Sequence, residues 1–221
     1  MSVLDPVLSV KNLKYIGHAG DPSSAVRVTR ERRVDRKKQN SDRNVFQCFV
    51  FGPKEARKTS FLHSFVRRLF SEVYTPTTEE KYTVNIVRQP GVTEKTLILR
   101  EIPEDAVENL IIRKDALAAC DIAVFVYDSL NEFSWIRAKE LLVQVASHGE
   151  STGYEVPCII VAAKGDLEPN LTAKQDSTRV SQDMGIEAPI PISIESRKFN
   201  NVFRRIVRAA EQPHLNIPGL R

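Results

Sequence analysis

The sequence predicts an α/β fold in which six mostly parallel strands form a sheet flanked by about five helices. Three observations carry this. From Val45 onward, short β-rich runs alternate with longer stretches of helical period. Two of the short runs, Ile122 to Tyr127 and Cys158 to Ala163, are apolar throughout and read as buried strands. The first run passes through Gly52-Pro53-Lys54-Glu55-Ala56-Arg57-Lys58-Thr59 straight into a helical pattern, a strand-loop-helix junction. At 221 residues the chain suits one domain with a short extension better than two domains.

Val45 to Phe51 is the first strand, and Thr59 to Phe70 a helix with Phe61, Leu62, Phe65, Val66 and Leu69 on one stripe. Tyr82 to Val87 and Thr96 to Ile102 form a hairpin across Gln89-Pro90-Gly91. An acidic helix start at Glu104-Asp105 is expected to run to Leu117. Asp121 to Tyr127 is a strand, Ser134 to Ser147 a helix, Val156 to Ala162 a strand and Ala173 to Met184 a helix. Ile190 to Ile194 is the last strand. Asn200 to Glu211 is the last helix, with Val202, Phe203, Ile206, Val207 and Ala210 inward. The domain therefore spans 45–211, between an extension (1–44) and a tail (212–221); Gly17 to Ser24 reads as loop, and no repeat is visible at periods of about 20 to 50 residues.

With 42% hydrophobic and 27% charged residues, the chain has an ordinary soluble composition and predicts a packed core. Its apolar runs are far shorter than the roughly 18 to 20 residues that span a bilayer, and Met-Ser-Val-Leu-Asp-Pro lacks the pattern of a secretory signal. An intracellular protein is expected. The net charge of +4 is local: residues 27–43 hold eight Lys/Arg and three Asp/Glu, which leaves 24 basic against 25 acidic residues elsewhere. A solvated tether is favoured over a surface that docks on an acidic neighbour or a membrane face, and nucleic acid is the weakest reading, because no aromatic residue interleaves the run to stack on bases. Cys48, Cys120 and Cys158 read as small reduced hydrophobes, and the four histidines show no metal-ligand spacing.

The strand-loop-helix junction is a degenerate G-x-x-x-x-G-K-[ST] phosphate loop. In such a loop backbone N–H groups and the helix N-terminus surround phosphates, the Lys meets the β/γ oxygens and the hydroxyl ligates Mg²⁺. Gly52, Lys58 and Thr59 hold those places, while Arg57 stands where a glycine normally lets the backbone approach. A plain helix start is the alternative. Later segments weigh against it. The chain resembles small GTPases of the Ras type: Thr77 of Pro76-Thr77 falls at the switch threonine that binds Mg²⁺, and Glu101-Ile102-Pro103-Glu104 at the Asp-x-x-Gly position. Ala163-Lys164-Gly165-Asp166 falls at Asn-Lys-x-Asp, and Ser193-Ile194-Glu195 at Ser-Ala-Lys.

A narrower family fits the same departures. Val45 to Pro53, Arg100 to Glu104, Ala118 to Asp128 and Ala162 to Asp166, with Ser9 to Gly17 and Gly20-Asp21-Pro22 upstream, resemble the carboxy-terminal GTPase domain of the Miro proteins, the mitochondrial Rho GTPases, in their plant form. The resemblance implies that Glu101 and Ala163 are family traits, whereas Arg57 and Glu195 depart from the family. It implies GTP/GDP and Mg²⁺ as ligands, with Gly52, Lys58, Thr59, Thr77, Lys164, Asp166 and Ser193 at the nucleotide and Thr59 and Thr77 at the metal. It also implies the cytosolic face of the mitochondrial outer membrane, with transport or membrane-contact proteins as partners. A whole Miro would carry a second GTPase, EF-hands and a membrane anchor. This sequence shows none of them and is expected to be a fragment or a truncated product.

Asp166 would read guanine by accepting from its N1 and N2 groups, with Lys164 lying along the base; an exposed turn pair is the alternative. Ala163 forfeits the hydrogen bonds of an Asn, each worth about 0.5 to 1.5 kcal/mol. Glu104 brings negative charge toward a phosphate, and Asp105 occupies the place of a water-orienting Gln and is a weak catalytic candidate. Weak guanine-nucleotide binding with slow or absent hydrolysis is the expectation. A pseudo-GTPase interaction module is the alternative.

Overall fold

β1 (Val45–Phe51) shows how the sequence builds two layers at once. Phe46, Cys48 and Val50 point to one side of the sheet and Phe49 and Phe51 to the other, all with no solvent exposure. The computed structural model describes residues 43–65, 81–87, 94–193 and 200–219. Thr77, Glu195, the Gln89-Pro90-Gly91 turn, the end of the first helix and nearly all of the basic run lie outside them.

Six strands form one sheet in the order β2-β3-β1-β4-β5-β6. β2 (Lys81–Val87) is antiparallel to β3 (Lys95–Glu101), as a hairpin requires. β1, β3, β4 (Ile122–Asp128), β5 (Cys158–Ala163) and β6 (Ile190–Pro191) are parallel. α1 (Lys58–Phe65) and α5 (Asn200–Glu211) cover one face through Phe61, Leu62, Val202, Phe203, Ile206 and Val207. α2 (Val107–Ile111), α3 (Glu132–Thr152) and α4 (Leu171–Asp183) cover the other. The apolar patterns of β5 and of β4 up to its final Asp128 follow from this, because a strand between two helix layers buries both faces. Phe51 stacks on Phe125 at 5.3 Å in the second layer.

The inward set predicted for Asn200 to Glu211 is buried as expected. Three expectations need correction. The helix expected to run to Leu117 is a 3₁₀ turn at Glu104–Ala106 followed by α2, which stops at Ile111. Beyond it the bonds tighten to Arg113 N–H to Leu110 O, Ala116 N–H to Arg113 O and Cys120 N–H to Leu117 O, and these turns bury Ala116 and Leu117 while Ile112 stays exposed. α3 is longer than Ser134 to Ser147. The Asn131 side chain accepts from Phe133 N–H and Ser134 N–H at one end, and Gly153 closes the other in the left-handed conformation (φ 76°). β6 is only two residues long within the ladder, at the sheet edge, where Pro191 offers no N–H.

Both ends of the domain are tied down. Arg43 forms a two-pronged pair with Asp121 (2.7 and 3.0 Å), and Lys95 Nζ donates to Arg43 O and Asn44 Oδ1. Past α5, Asn216 is buried; its carbonyl accepts Cys158 N–H at 2.8 Å and its Oδ1 accepts Glu187 N–H at 3.0 Å. β1 sits where strand order reverses, between β3 and β4, the place at which open α/β sheets hold ligands beyond the carboxyl ends of their strands.

Candidate functional site at the strand carboxyl ends

Gly52 leaves β1 with φ 152°, and a Cβ there would stand 2.3 Å from Val126 O, so no other residue fits this exit. The loop then curls around Lys58. Lys58 is 7% exposed, and its Nζ donates to Gly52 O at 2.8 Å and Pro53 O at 2.9 Å. Burial lowers its pKa from the ordinary lysine value, opposed by the negative charges of Glu101, Glu104 and Asp105. The next residue, Thr59, donates its hydroxyl to the Glu101 carboxylate, with Oε1 at 3.0 Å and Oε2 at 2.9 Å. Glu101 ends β3 and is 1% exposed. A hydroxyl and a carboxylate in contact are hard oxygen donors of the type that suits Mg²⁺.

Arg57 has φ 67° and Glu55 φ 65°, in the left-handed region where an L side chain costs roughly 1 to 2 kcal/mol. Lys164, in the second loop, has φ 58°. These three are the only non-glycine residues in that region among the described ones, and all lie in the two loops that the motifs mark. Strain of this kind concentrates at functional sites.

Glu104 is not idle in solvent. Its Oε2 accepts the backbone N–H of Lys54 at 2.8 Å and its Oε1 accepts Arg137 Nε–H from α3 at 2.7 Å. The neighbouring Asp105 pairs with Lys54 Nζ at 2.8 Å. One acidic turn after β3 is thereby fastened to the loop that follows β1 by a backbone bond and a salt bridge.

The second loop follows β5. Lys164 Nζ pairs with Asp128 at 2.5 Å, and the other oxygen of Asp128 accepts Leu130 N–H. Ala163 lacks the amide of an Asn; two main-chain bonds, Ser129 N–H to Ala163 O (3.1 Å) and Gly165 N–H to Ile192 O (2.8 Å), and the Ser129 hydroxyl, donating to Lys164 O (3.3 Å), join the loops. A Cβ on Gly165 would meet Pro191 Cβ at 2.7 Å, so this close approach to β6 needs glycine. Asp166 is exposed, and no described residue bonds to its carboxylate. Ser193 follows β6, half-buried, one residue beyond the Ile192 that holds Gly165.

Gly52, Lys58 and Thr59 thus gather at one loop together with Glu101, while Lys164, Asp166 and Ser193 gather at the loops after β5 and β6. Thr77 lies outside the described residues. No motif marks Asp128, which holds Lys164, or Arg137, which holds Glu104. Asp128 was open to detection, as the last residue of an apolar strand facing the second loop; Arg137 gives no signal in a helix rich in charge.

Residues 47–212 match the Ras family. Mitochondrial Rho GTPase 1 of Arabidopsis thaliana is 57% identical over 218 residues, covering 99% of this chain and 34% of the relative. Mitochondrial Rho GTPase 2 of the same plant is 52% identical over 218 residues, with the same coverage. Mitochondrial Rho GTPase 1 of Saccharomyces cerevisiae is 32% identical over 216 residues, covering 94% of this chain and 32% of the relative. The chain spans about a third of the length of these curated relatives.

Proposed function

This chain belongs to the Ras family, on its plant-type mitochondrial Rho GTPase branch, and from that premise we propose that residues 45–211 bind GTP and GDP with Mg²⁺ and hydrolyse GTP slowly. The observation that carries the proposal is the adjacency of buried Lys58 to the Thr59–Glu101 pair at the start of α1.

In this reading Lys58 neutralises phosphate oxygens, assisted by the N-terminus of α1. Thr59 would be the direct metal ligand, with Glu101 fixing its hydroxyl and supplying negative charge, and Thr77 would be the second protein ligand. Bound Mg²⁺ supplies neutralisation of the charge shared between phosphates. Asp166 accepts the N1 and N2 protons of guanine and opposes adenine, which offers no such donor pair. Lys164, steered by Asp128, lies along the base, and Ser193 backs the loop. Gly52 sets the loop's exit.

The proposed slowness has a physical basis. Hydrolysis needs an oriented water and donors facing the charge that develops on the terminal phosphate. Asp105, the catalytic candidate, is paired to Lys54, and Glu104 adds a carboxylate to the loop. The second reading, an interaction module that no longer binds nucleotide, is favoured by the left-handed Arg57 in the phosphate loop. The names of the relatives motivate the further proposal of a mitochondrial setting, and the resemblance to the Miro proteins motivates the cytosolic face of the outer membrane, with transport or membrane-contact proteins as partners. Among the described residues no helix is long and apolar enough to cross a membrane.

Titration of fluorescent GDP, GTP and ATP analogues with Mg²⁺ into the full chain and into Lys58→Ala tests this. The expected result is guanine-nucleotide binding well below about 1 mM (stronger than roughly −4 kcal/mol), lost in Lys58→Ala and absent for ATP. Millimolar GTP affinity that Lys58→Ala leaves unchanged sinks the proposal and favours the interaction module.

A further inference from the structure

We propose that Glu104 is a specificity-determining residue that makes the phosphate loop favour a nucleoside diphosphate over a triphosphate, by bonding the Lys54 N–H with the chain's own carboxylate. This rests on the nucleotide-binding reading above.

Four observations converge on Glu104. Its Oε2 occupies the backbone N–H of Lys54 at 2.8 Å, and such N–H groups are the means by which a phosphate loop holds anions. Its Oε1 is bound at 2.7 Å to Arg137, which also pairs with Glu140, so the carboxylate is held from the α3 side and not left to swing in solvent. Its side chain is only 16% exposed, so its charge is less screened than that of a surface acid. The same carboxylate acts on Lys58, the cation that meets the β/γ oxygens.

A triphosphate carries one more phosphoryl group to this end of the loop than a diphosphate. That group must either displace Glu104 from Lys54 N–H or lie beside its negative charge, and each alternative costs affinity that the diphosphate does not lose. The arrangement acts through charge and through one occupied donor, so it discriminates by phosphate number and not by base. Asp105, paired with Lys54 Nζ on the same loop residue, is more exposed and takes no loop N–H. It is secondary.

The test compares the affinities of fluorescent GDP and a non-hydrolysable GTP analogue, each with Mg²⁺, for the full chain, Glu104→Gln and Glu104→Gly. Both variants remove the charge but differ in size, and a melting curve checks that each is folded. The expected result is a wild-type preference for GDP of about tenfold or more, reduced to about threefold or less in both variants, mainly through tighter triphosphate binding. Binding of the triphosphate by the variants alone is the extreme form of the same result. A preference that both folded variants leave unchanged, or a wild type that favours the triphosphate, overturns the assignment while leaving the nucleotide site intact. If neither the wild type nor the variants bind any guanine nucleotide, the nucleotide-binding reading fails and this one with it.

Discussion

The Thr59 hydroxyl donates to a Glu101 carboxylate that is 1% exposed, joining the first turn of α1 to the end of β3. A carboxylate buried this deeply needs partners, and Thr59 and the nearby Lys58 charge supply them. Glu101→Gln keeps the shape and removes the charge, leaving Lys58 buried with less compensation. It is expected to lower stability by about 1 to 3 kcal/mol and to weaken the Mg²⁺ dependence of nucleotide binding. Thr59→Val should weaken that dependence at a smaller stability cost. Urea unfolding and Mg²⁺ titrations of both variants decide this, and a Glu101→Gln variant with wild-type stability would show that the charge is dispensable.

Arg57 offers a test in the opposite direction. With φ 67° it holds a left-handed conformation that costs a side chain roughly 1 to 2 kcal/mol, most of it relieved by glycine. Glycine also frees the unfolded chain, at a cost of about 0.5 to 1 kcal/mol. Arg57→Gly should therefore change stability by about 1 kcal/mol at most, yet raise nucleotide affinity several-fold by removing the Cβ from the loop. Unchanged affinity would mean that the Arg57 side chain already clears the phosphates.

How far these features could be read in the sequence depended on the range of the interactions. α5 was legible residue by residue because its apolar stripe is a local pattern, and β4 and β5 because burial on both faces leaves no charged residue in them before the final Asp128 of β4. The ends of α3 rest on single residues: Asn131 and Gly153 are the kind of cap that a hydrophobic pattern alone overlooks. Lys58 and Thr59 stand out in the sequence because the G-x-x-x-x-G-K-[ST] motif fixes their positions by spacing. The Glu104 attachment was out of reach, because Lys54, Glu104 and Arg137 are far apart in the chain and meet only through the parallel order β3-β1-β4.

The cysteines should be silent. Cys48 and Cys158 have no exposure and Cys120 has 6%. Burial pushes all three thiols up, Cys120 to about 12, so the reactive thiolate is scarce and shielded. A thiol-specific chromogenic reagent at pH 8 should label none of them in the native protein and all three in denaturant. Rapid labelling of one thiol in the native state would show that its layer of the core opens.

Asp176 predicts the acid limit of the α3–α4 contact. Burial alone would raise its pKa, but hydrogen bonds from Lys139, Trp135 Nε1 (2.7 Å) and Arg179 outweigh this and hold it at about 2. The folded value lies below the unfolded value of about 3.9. The carboxylate's stabilisation is therefore fully present above pH 4 to 5 and is lost as pH falls toward 2. Asp176→Asn should cost about 1 to 2 kcal/mol at pH 7, within the range for hydrogen bonds to charged groups, and much less near pH 2. Urea unfolding of the two proteins at pH 7, 4 and 2.5 reads this directly: the gap between them should narrow as pH falls, and a gap independent of pH would assign the cost to packing and not to charge.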